Sequence, residues 1–253
     1  MQAYRKAFAQ AYALRWAPFA QKLAPKIENL YQNSPVGKTN RSILDLCCGT
    51  GVLVSHFLSC GYTATGLDLS EYMIEYARNN NLEYVQNGKA KFVNGDASHF
   101  SLNEKYGLVT CTYDAINHFA DYFMLEGCFR SVGPVLQSGG LFIFDINTKK
   151  GLSRWSGVHT DSSDDIFILE KGIYEEGMER AYTQMSGFVR VEGSELYTRF
   201  EETVYNTVFD TGKIQKILFD LGWRKCYFAL FENLENAIND PEEQGRVFFI
   251  AEK

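Results

Sequence analysis

The stretch Ile43-Leu44-Asp45-Leu46-Cys47-Cys48-Gly49-Thr50-Gly51 constrains this chain more than any other. A short apolar run carrying one carboxylate ends in two glycines one residue apart, and Val52-Leu53-Val54-Ser55-His56-Phe57-Leu58 follows with helical spacing. This is the pattern of a buried strand, a tight turn and a helix. Glycine is needed where the turn wants a positive φ and where a ligand must approach bare backbone. The helix N-terminus then aims free N–H groups at whatever the turn holds.

A dinucleotide fingerprint would read G-x-G-x-x-G, but Val54 stands at its third glycine, so a nicotinamide cofactor is disfavoured. The next strand, Thr63-Ala64-Thr65-Gly66-Leu67, ends on Asp68. A carboxylate at the tip of the second strand, about 20 residues past the glycines, suits both hydroxyls of a ribose. A third strand, Ala90-Lys91-Phe92-Val93, runs into Asn94-Gly95-Asp96-Ala97 and brings a second acid one strand further along, where it suits an amino group of adenine.

Taken together, D-L-C-C-G-T-G, G-L-D-L-S-E-Y-M and N-G-D-A, in that order and spacing, resemble the class I S-adenosylmethionine-dependent methyltransferases over roughly residues 41 to 148. The resemblance implies a Rossmann-like α/β fold: a seven-stranded, mostly parallel sheet with helices on both faces. It implies S-adenosyl-L-methionine as cofactor and S-adenosyl-L-homocysteine as product. The turn from Asp45 and Cys47 through Gly49, Thr50 and Gly51 would lie at the methionine part. Asp68 would hold the ribose, Asp96 and Ala97 would meet the adenine, and Leu69 and Met73 would pack on the cofactor.

The 253 residues are 45% hydrophobic, enough for a sizeable core in one domain. The net charge of −6 and the absence of a basic run disfavour nucleic acid as a partner. Cys47, Cys48, Cys60, Cys111, Cys128 and Cys226 show no C-x-x-C spacing and are expected to be reduced, as in a cytoplasmic protein. His56, His99, His118 and His159 are scattered, so no metal site is expected. Neither a signal peptide nor a membrane span is expected.

Four segments are expected. Residues 1–40 form a helical lid, 41–148 the cofactor-binding core, 151–208 an antiparallel insertion, and 209–253 a return to the core sheet. Residues 3 to about 32 have helical spacing, and Pro18 and Pro25 are expected to divide them into short helices. In the resembled family an N-terminal helix closes over the cofactor, which offers Tyr12 or Arg15 to its carboxylate; the alternative is a helix that only packs on the core. Ser70 is the expected N-cap of the helix after Asp68. A helix is expected over residues 121–137, and Leu141-Phe142-Ile143-Phe144-Asp145-Ile146-Asn147 reads as a strand buried on both faces. Strand-like runs separated by turns fill 166–200, and a helix over Asp210–Phe219 leads to two closing strands.

The fourth core strand, Tyr106–Cys111, opens into Thr112-Tyr113-Asp114-Ala115-Ile116-Asn117-His118. Ligands of open α/β sheets bind at the carboxyl ends of strands, so a methyl acceptor is expected here. Tyr113 is placed at the cofactor, His118 or Asp114 is the candidate general base, and Asn117, Asp145, Asn147 and Trp155 are candidate pocket contacts. For Asp114, Asn117 and His118 the alternative is turn hydrogen bonding alone. A meander roofing the pocket favours a small-molecule acceptor with a nitrogen or oxygen nucleophile over a protein or RNA. The insertion and Arg199-Phe200-Glu201-Glu202-Thr203-Val204-Tyr205 are loosely similar to sugar-amine and glycine N-methyltransferases. A protein or RNA methyltransferase, or a non-catalytic cofactor-binding module, remains the alternative. A monomer or homodimer is expected.

Overall fold

The computed structural model describes residues 4–253. The expected helix start at residue 3, and the first three positions of the 1–40 segment, lie outside the described residues.

Two helices come first, α1 (Lys6–Arg15) and α2 (Ala17–Gln32). The helix breaks at Trp16, and Pro18 follows in the first turn of α2, where the missing N–H costs nothing. Pro25 does not divide the segment as expected: it sits inside α2. Its position is exposed, so the carbonyl that it leaves unpaired one turn back faces water.

The core follows as β1 (Ser42–Leu46), α3 (Val52–Ser59), β2 (Thr63–Asp68), α4 (Glu71–Asn80), α5 (Leu82–Gln86), β3 (Ala90–Asn94) and β4 (Tyr106–Cys111). Then come α6 (Tyr122–Val135), β5 (Leu136–Asn147) and α7 (Lys149–Ser153). Ser70 caps α4 as expected, its hydroxyl accepting the Met73 N–H at 3.3 Å. The inserted strands are β6 (Gly157–Ser162), β7 (Ile166–Ile173), β8 (Arg180–Arg190) and β9 (Tyr197–Thr207). The chain closes with α8 (Thr211–Asp220), β10 (Lys225–Leu230), β11 (Asn233–Ile238) and β12 (Arg246–Glu252).

The main sheet runs β11-β10-β12-β5-β4-β1-β2-β3. Strands β3, β2, β1, β4 and β5 are parallel, and β12 and β10 join antiparallel at the β5 edge. Eight strands replace the seven expected, because Asn233–Ile238 pairs with β10 as a hairpin. Strand order reverses between β1 and β4, so their carboxyl ends splay apart and open a crevice. The Cys47–Gly51 turn leaves β1 at that point, and the Thr112–His118 loop leaves β4 beside it.

Two apolar layers hold this sheet. Phe129, Phe142, Phe144, Phe249 and Trp223 pack on one face with α6 and α8, and Phe57, Tyr62, Ile143 and Phe248 on the other with α2 and α3. The near-continuous apolar run of β5 thus serves both faces. A second, four-stranded antiparallel sheet runs β6-β7-β8-β9. It has its own core, in which Phe8 of α1 packs among Ile166, Ile168, Met185, Val189 and Phe200. Along β9, Phe200 and Glu202 are buried while Arg199 and Glu201 are exposed. The N-terminal segment therefore joins both units, α1 lying on the antiparallel sheet and α2 on α3.

Phe144 and Phe249 are fully buried and stack at 4.5 Å across β5 and β12. Phe249→Ala is expected to cost about 3–5 kcal/mol and to lower Tm by roughly 6–20 °C. Thermal unfolding followed by circular dichroism checks this.

Candidate active site

A cavity of about 380 Å³ opens at the β1/β4 crevice. Its floor is Cys47, Gly49, Asp68, Leu69 and Met73; the loop after β4 gives Tyr113, Asp114 and His118. Tyr4, Phe8, Tyr12 and Trp16 cover it from the N-terminal segment, and Met185, Val204, Tyr205 and Asn206 close it from the antiparallel sheet.

The floor is set by Asp68. Its Oδ2 accepts the Gly49 N–H at 2.9 Å and its Oδ1 the Ser70 N–H at 2.9 Å. The carboxylate is thus fixed by the glycine turn and the α4 cap together, and each oxygen keeps acceptor capacity for a second donor. Burial pushes the Asp68 carboxyl above its ordinary range, and these backbone N–H bonds oppose that shift. Gly49 and Gly51 have φ of +52° and +77°. A Cβ on Gly49 would stand 3.4 Å from the Tyr12 ring, whereas one on Gly51 would press on Ala77 and the Asn81 amide at 3.0 Å. Gly49 keeps backbone bare at the cavity; Gly51 lets α3 pack on α4.

The wall on the β4 side is pinned by Asp145. Tyr113 and Asp114 are non-glycine residues at φ +65° and +49°. Such backbone persists only where its surroundings over-determine it. Here Asp145 Oδ1 accepts the Tyr113 N–H at 2.7 Å and Oδ2 accepts the Asp114 N–H at 3.0 Å. Arg246, at the start of β12, bridges the two acids, donating to Asp114 Oδ1 at 2.6 Å and Asp145 Oδ2 at 2.8 Å. Its guanidinium also lies over the Phe19 and Tyr113 rings, which stack on each other at 4.4 Å. Burial pushes Asp145 up to about 6, with Arg246 opposing.

His118 ends a short 3-10 turn, Ala115–His118. Its Nδ1 stands 2.9 Å from the Tyr205 carbonyl. A carbonyl only accepts, so Nδ1 carries a proton and Nε2 is the nitrogen free to take one.

Residues 43–140 match a methyltransferase-domain family. A crystal structure of an S-adenosylmethionine-dependent methyltransferase from Clostridium acetobutylicum ATCC 824 superposes with a TM-score of 0.77 at 25% identity, covering 97% of each chain. Residues 43–140 carry a methyltransferase domain, and the chain has the fold of the class I S-adenosylmethionine-dependent methyltransferases. Two further likenesses are informative. The dTDP-3-amino-3,6-dideoxy-alpha-D-glucopyranose N,N-dimethyltransferase of Streptomyces fradiae is 34% identical over 99 residues, 39% of this chain and 36% of that one. The sugar N-methyltransferase KedS8 from Streptoalloteichus sp ATCC 53650 shares the fold at 17% identity, with a TM-score of 0.75 over 100% of this chain and 96% of that one. No helix among the described residues is long and apolar enough to cross a membrane.

The cavity fits this methyltransferase's cofactor: a bare-backbone turn, an oriented carboxylate with spare acceptor capacity, and the apolar Leu69 and Met73 stand on one floor. Of the residues expected from sequence, Tyr12, Cys47, Gly49, Asp68, Leu69, Met73, Tyr113, Asp114, His118 and Trp155 meet at the cavity. Several others do not line it. Arg15 is drawn into ion pairs with Asp161 at 2.9 Å and Glu170 at 3.0 Å on the antiparallel sheet. Asp45 is buried in β1, accepting the Thr110 hydroxyl at 2.7 Å. Thr50 is buried behind the turn, and its carbonyl accepts from Asn80. Asp96 Oδ1 is used by the Ser98 N–H and hydroxyl, and Ala97 joins the apolar core beneath. Asn117 is a clamp: its amide donates to the Asn147 and Thr207 carbonyls and its Oδ1 accepts the Asn147 N–H. Asn147 takes part through its backbone, and Asp145 through the pinned loop. Most of these polar groups bond to their own neighbours, whereas the buried Asn147 Nδ2 has no hydrogen-bond partner among the described residues.

Tyr4, Phe8, Trp16, Met185, Asn206 and Arg246 are among the cavity-lining residues that sequence reasoning did not place at the site. Arg246 carried one signal, a lone charge opening the apolar run Val247–Ala251.

Burial pushes the Asp45 carboxyl up to about 7. A carboxyl raised on folding contributes stability that is present below its ordinary value near 4 and lost as pH climbs toward about 7. Asp45→Asn, which keeps an acceptor for Thr110, is therefore expected to gain on the native protein between pH 5 and pH 8. Urea unfolding at the two pH values checks this; an unchanged difference would show that Asp45 does not titrate with folding.

Proposed function

We propose that this methyltransferase moves a methyl group to a nitrogen or oxygen of a small-molecule acceptor, with His118 as general base. The observation that carries the reading is the anchored His118, whose Nδ1 is committed to the Tyr205 carbonyl while its side chain lines the cavity. Asp114, the other candidate, is paired with Arg246 and is a poor base for that reason. It acts instead through the loop that holds His118.

The cofactor, when bound, supplies a methyl group already activated on a sulfonium. The protein's work is positioning and exclusion of water. Asp68 holds the ribose, Gly49 admits the cofactor to the backbone, and Leu69 and Met73 bear on its apolar faces. Tyr12 and Tyr113 complete the cofactor side. Burial pushes the Tyr113 phenol up to about 12, so it stays neutral. Asn206 is nearly fully buried, and its Oδ1 has no hydrogen-bond partner among the described residues. It is available to a donor on the acceptor molecule, and Trp155 flanks that end of the cavity. Such positioning accounts for roughly 7–11 kcal/mol of barrier in well-oriented reactions.

The roofed cavity supports a small acceptor, since β8 and β9 and the helical segment before Ser34 enclose it. In this reading residues 1–40 act as the lid and 151–208 as the roof. The sugar-amine N-methyltransferase relatives support an amine on a sugar-sized molecule.

Two outcomes are expected. Asp68→Ala weakens S-adenosyl-L-homocysteine binding at least tenfold, about 1.4 kcal/mol, by calorimetry; unchanged affinity removes Asp68 from the ribose. His118→Ala lowers kcat by about 10²–10⁴-fold with cofactor affinity kept, measured with labelled S-adenosyl-L-methionine and the acceptor recovered from a size-fractionated extract. Label only in protein or RNA would overturn the small-molecule reading. Cofactor binding with no label transferred would favour a non-catalytic module.

A further inference from the structure

Away from the cavity, the seam between α2 and α3 gathers Glu28, His56 and Cys60. His56 Nε2 stands 2.9 Å from Glu28 Oε2, Cys60 Sγ 3.3 Å from the same oxygen, and Cys60 Sγ 3.8 Å from His56 Nε2. Ligand atoms of a tetrahedral zinc shell stand about 3.3–3.6 Å apart when the metal bonds are about 2.0–2.3 Å. The trio thus already approximates one face of such a shell, and small side-chain shifts would complete it. None of the three lines the cofactor cavity.

We propose that Glu28, His56 and Cys60 form a binding site for a zinc-like divalent cation, with the fourth position left to solvent. Three observations support it beyond the distances. The donor set of one thiolate, one imidazole and one carboxylate suits zinc and cobalt(II) rather than calcium or magnesium. A thiolate and a carboxylate balance the two positive charges of the ion, so the loaded site carries no net charge. The side chains of His56 and Glu28 are 24% and 17% exposed, which leaves an entry path from solvent.

The trio is assembled by two different elements. His56 and Cys60 sit one helical turn apart on α3 and its C-cap, and Glu28 comes from α2. The ion would therefore staple the N-terminal helical segment to the helix that starts at the glycine turn. Without metal, burial and the nearby Glu28 carboxylate hold the Cys60 thiol above its ordinary range. The Arg41 guanidinium, which donates to the Cys60 carbonyl, favours the thiolate. On binding, the Sγ–metal bond replaces the S–H bond and the proton leaves to solvent, so affinity rises with pH.

Cobalt(II) titration of the full chain under reducing conditions tests this. The expected result is a near-ultraviolet thiolate-to-cobalt band saturating at one equivalent. It is lost in Cys60→Ser, weakened at least tenfold in apparent affinity in Glu28→Gln and in His56→Gln, and kept in Cys226→Ser. Zinc(II) should displace the cobalt and raise Tm of the native chain but not of Cys60→Ser. No band in the native chain, or a band that survives Cys60→Ser, overturns the proposal and leaves the trio as an ion pair with a thiol donor.

Discussion

The site depends on one buried carboxylate. Asp145 stands where β5 meets the cavity wall, and it holds two strained residues through their backbone N–H groups and Arg246 through a charged bond. Removing such a group from water costs several kcal/mol unless its lone pairs are satisfied. Here two bonds go to the loop after β4 and the third to Arg246, which itself holds Asp114, so the cost of burial is offset by contacts that fix Tyr113, Asp114 and, through the turn, His118. Arg246 answers two acids with one charge, and its stacking on Tyr113 and Phe19 extends the same device to α2.

The second dependence is on the N-terminal segment. Phe8 enters the core of the antiparallel sheet, Arg5 pairs with the buried Glu202 at 2.8 Å, and the Tyr4 carbonyl accepts the Ser70 hydroxyl beside Asp68. One stretch of chain therefore bears on the roof, the cofactor floor and, through Phe19, the β4 loop. A cavity closed this way keeps its apolar and polar walls in register without a long interface between the two sheets. It also places Tyr4 and Tyr12 where burial pushes their phenols up and keeps them neutral.

Much of this was legible in the chain because the information is local. The glycines, Asp68 and the Ser70 cap are read within a few residues, since positive φ, a strand tip and a helix start each have a short-range signature. The misreadings have a common cause. Asn117 and Asp145 look like site residues because they are polar and stand near strand ends, but the structure spends their hydrogen bonds on partners distant in the chain, for Asn117 a carbonyl 90 residues away. Arg15 failed for the same reason, its partners lying on an inserted sheet. Pro25 failed because the cost of an interior proline depends on whether the freed carbonyl faces water, which α2's packing decides.

The sequence by itself determined the fold class, the cofactor and the residues that floor the cavity, because these rest on backbone conformation and on spacing along single strand–turn–helix units. Only the tertiary structure decided which polar groups remain free to act. Hydrogen-bond capacity is finite, and its use is fixed by partners distant in the chain. Asp114 is committed by Arg246, 132 residues on, while His118 keeps one nitrogen open because Tyr205 takes only the other. The same rule joins Glu28 to His56 and Cys60, which no local pattern brings together.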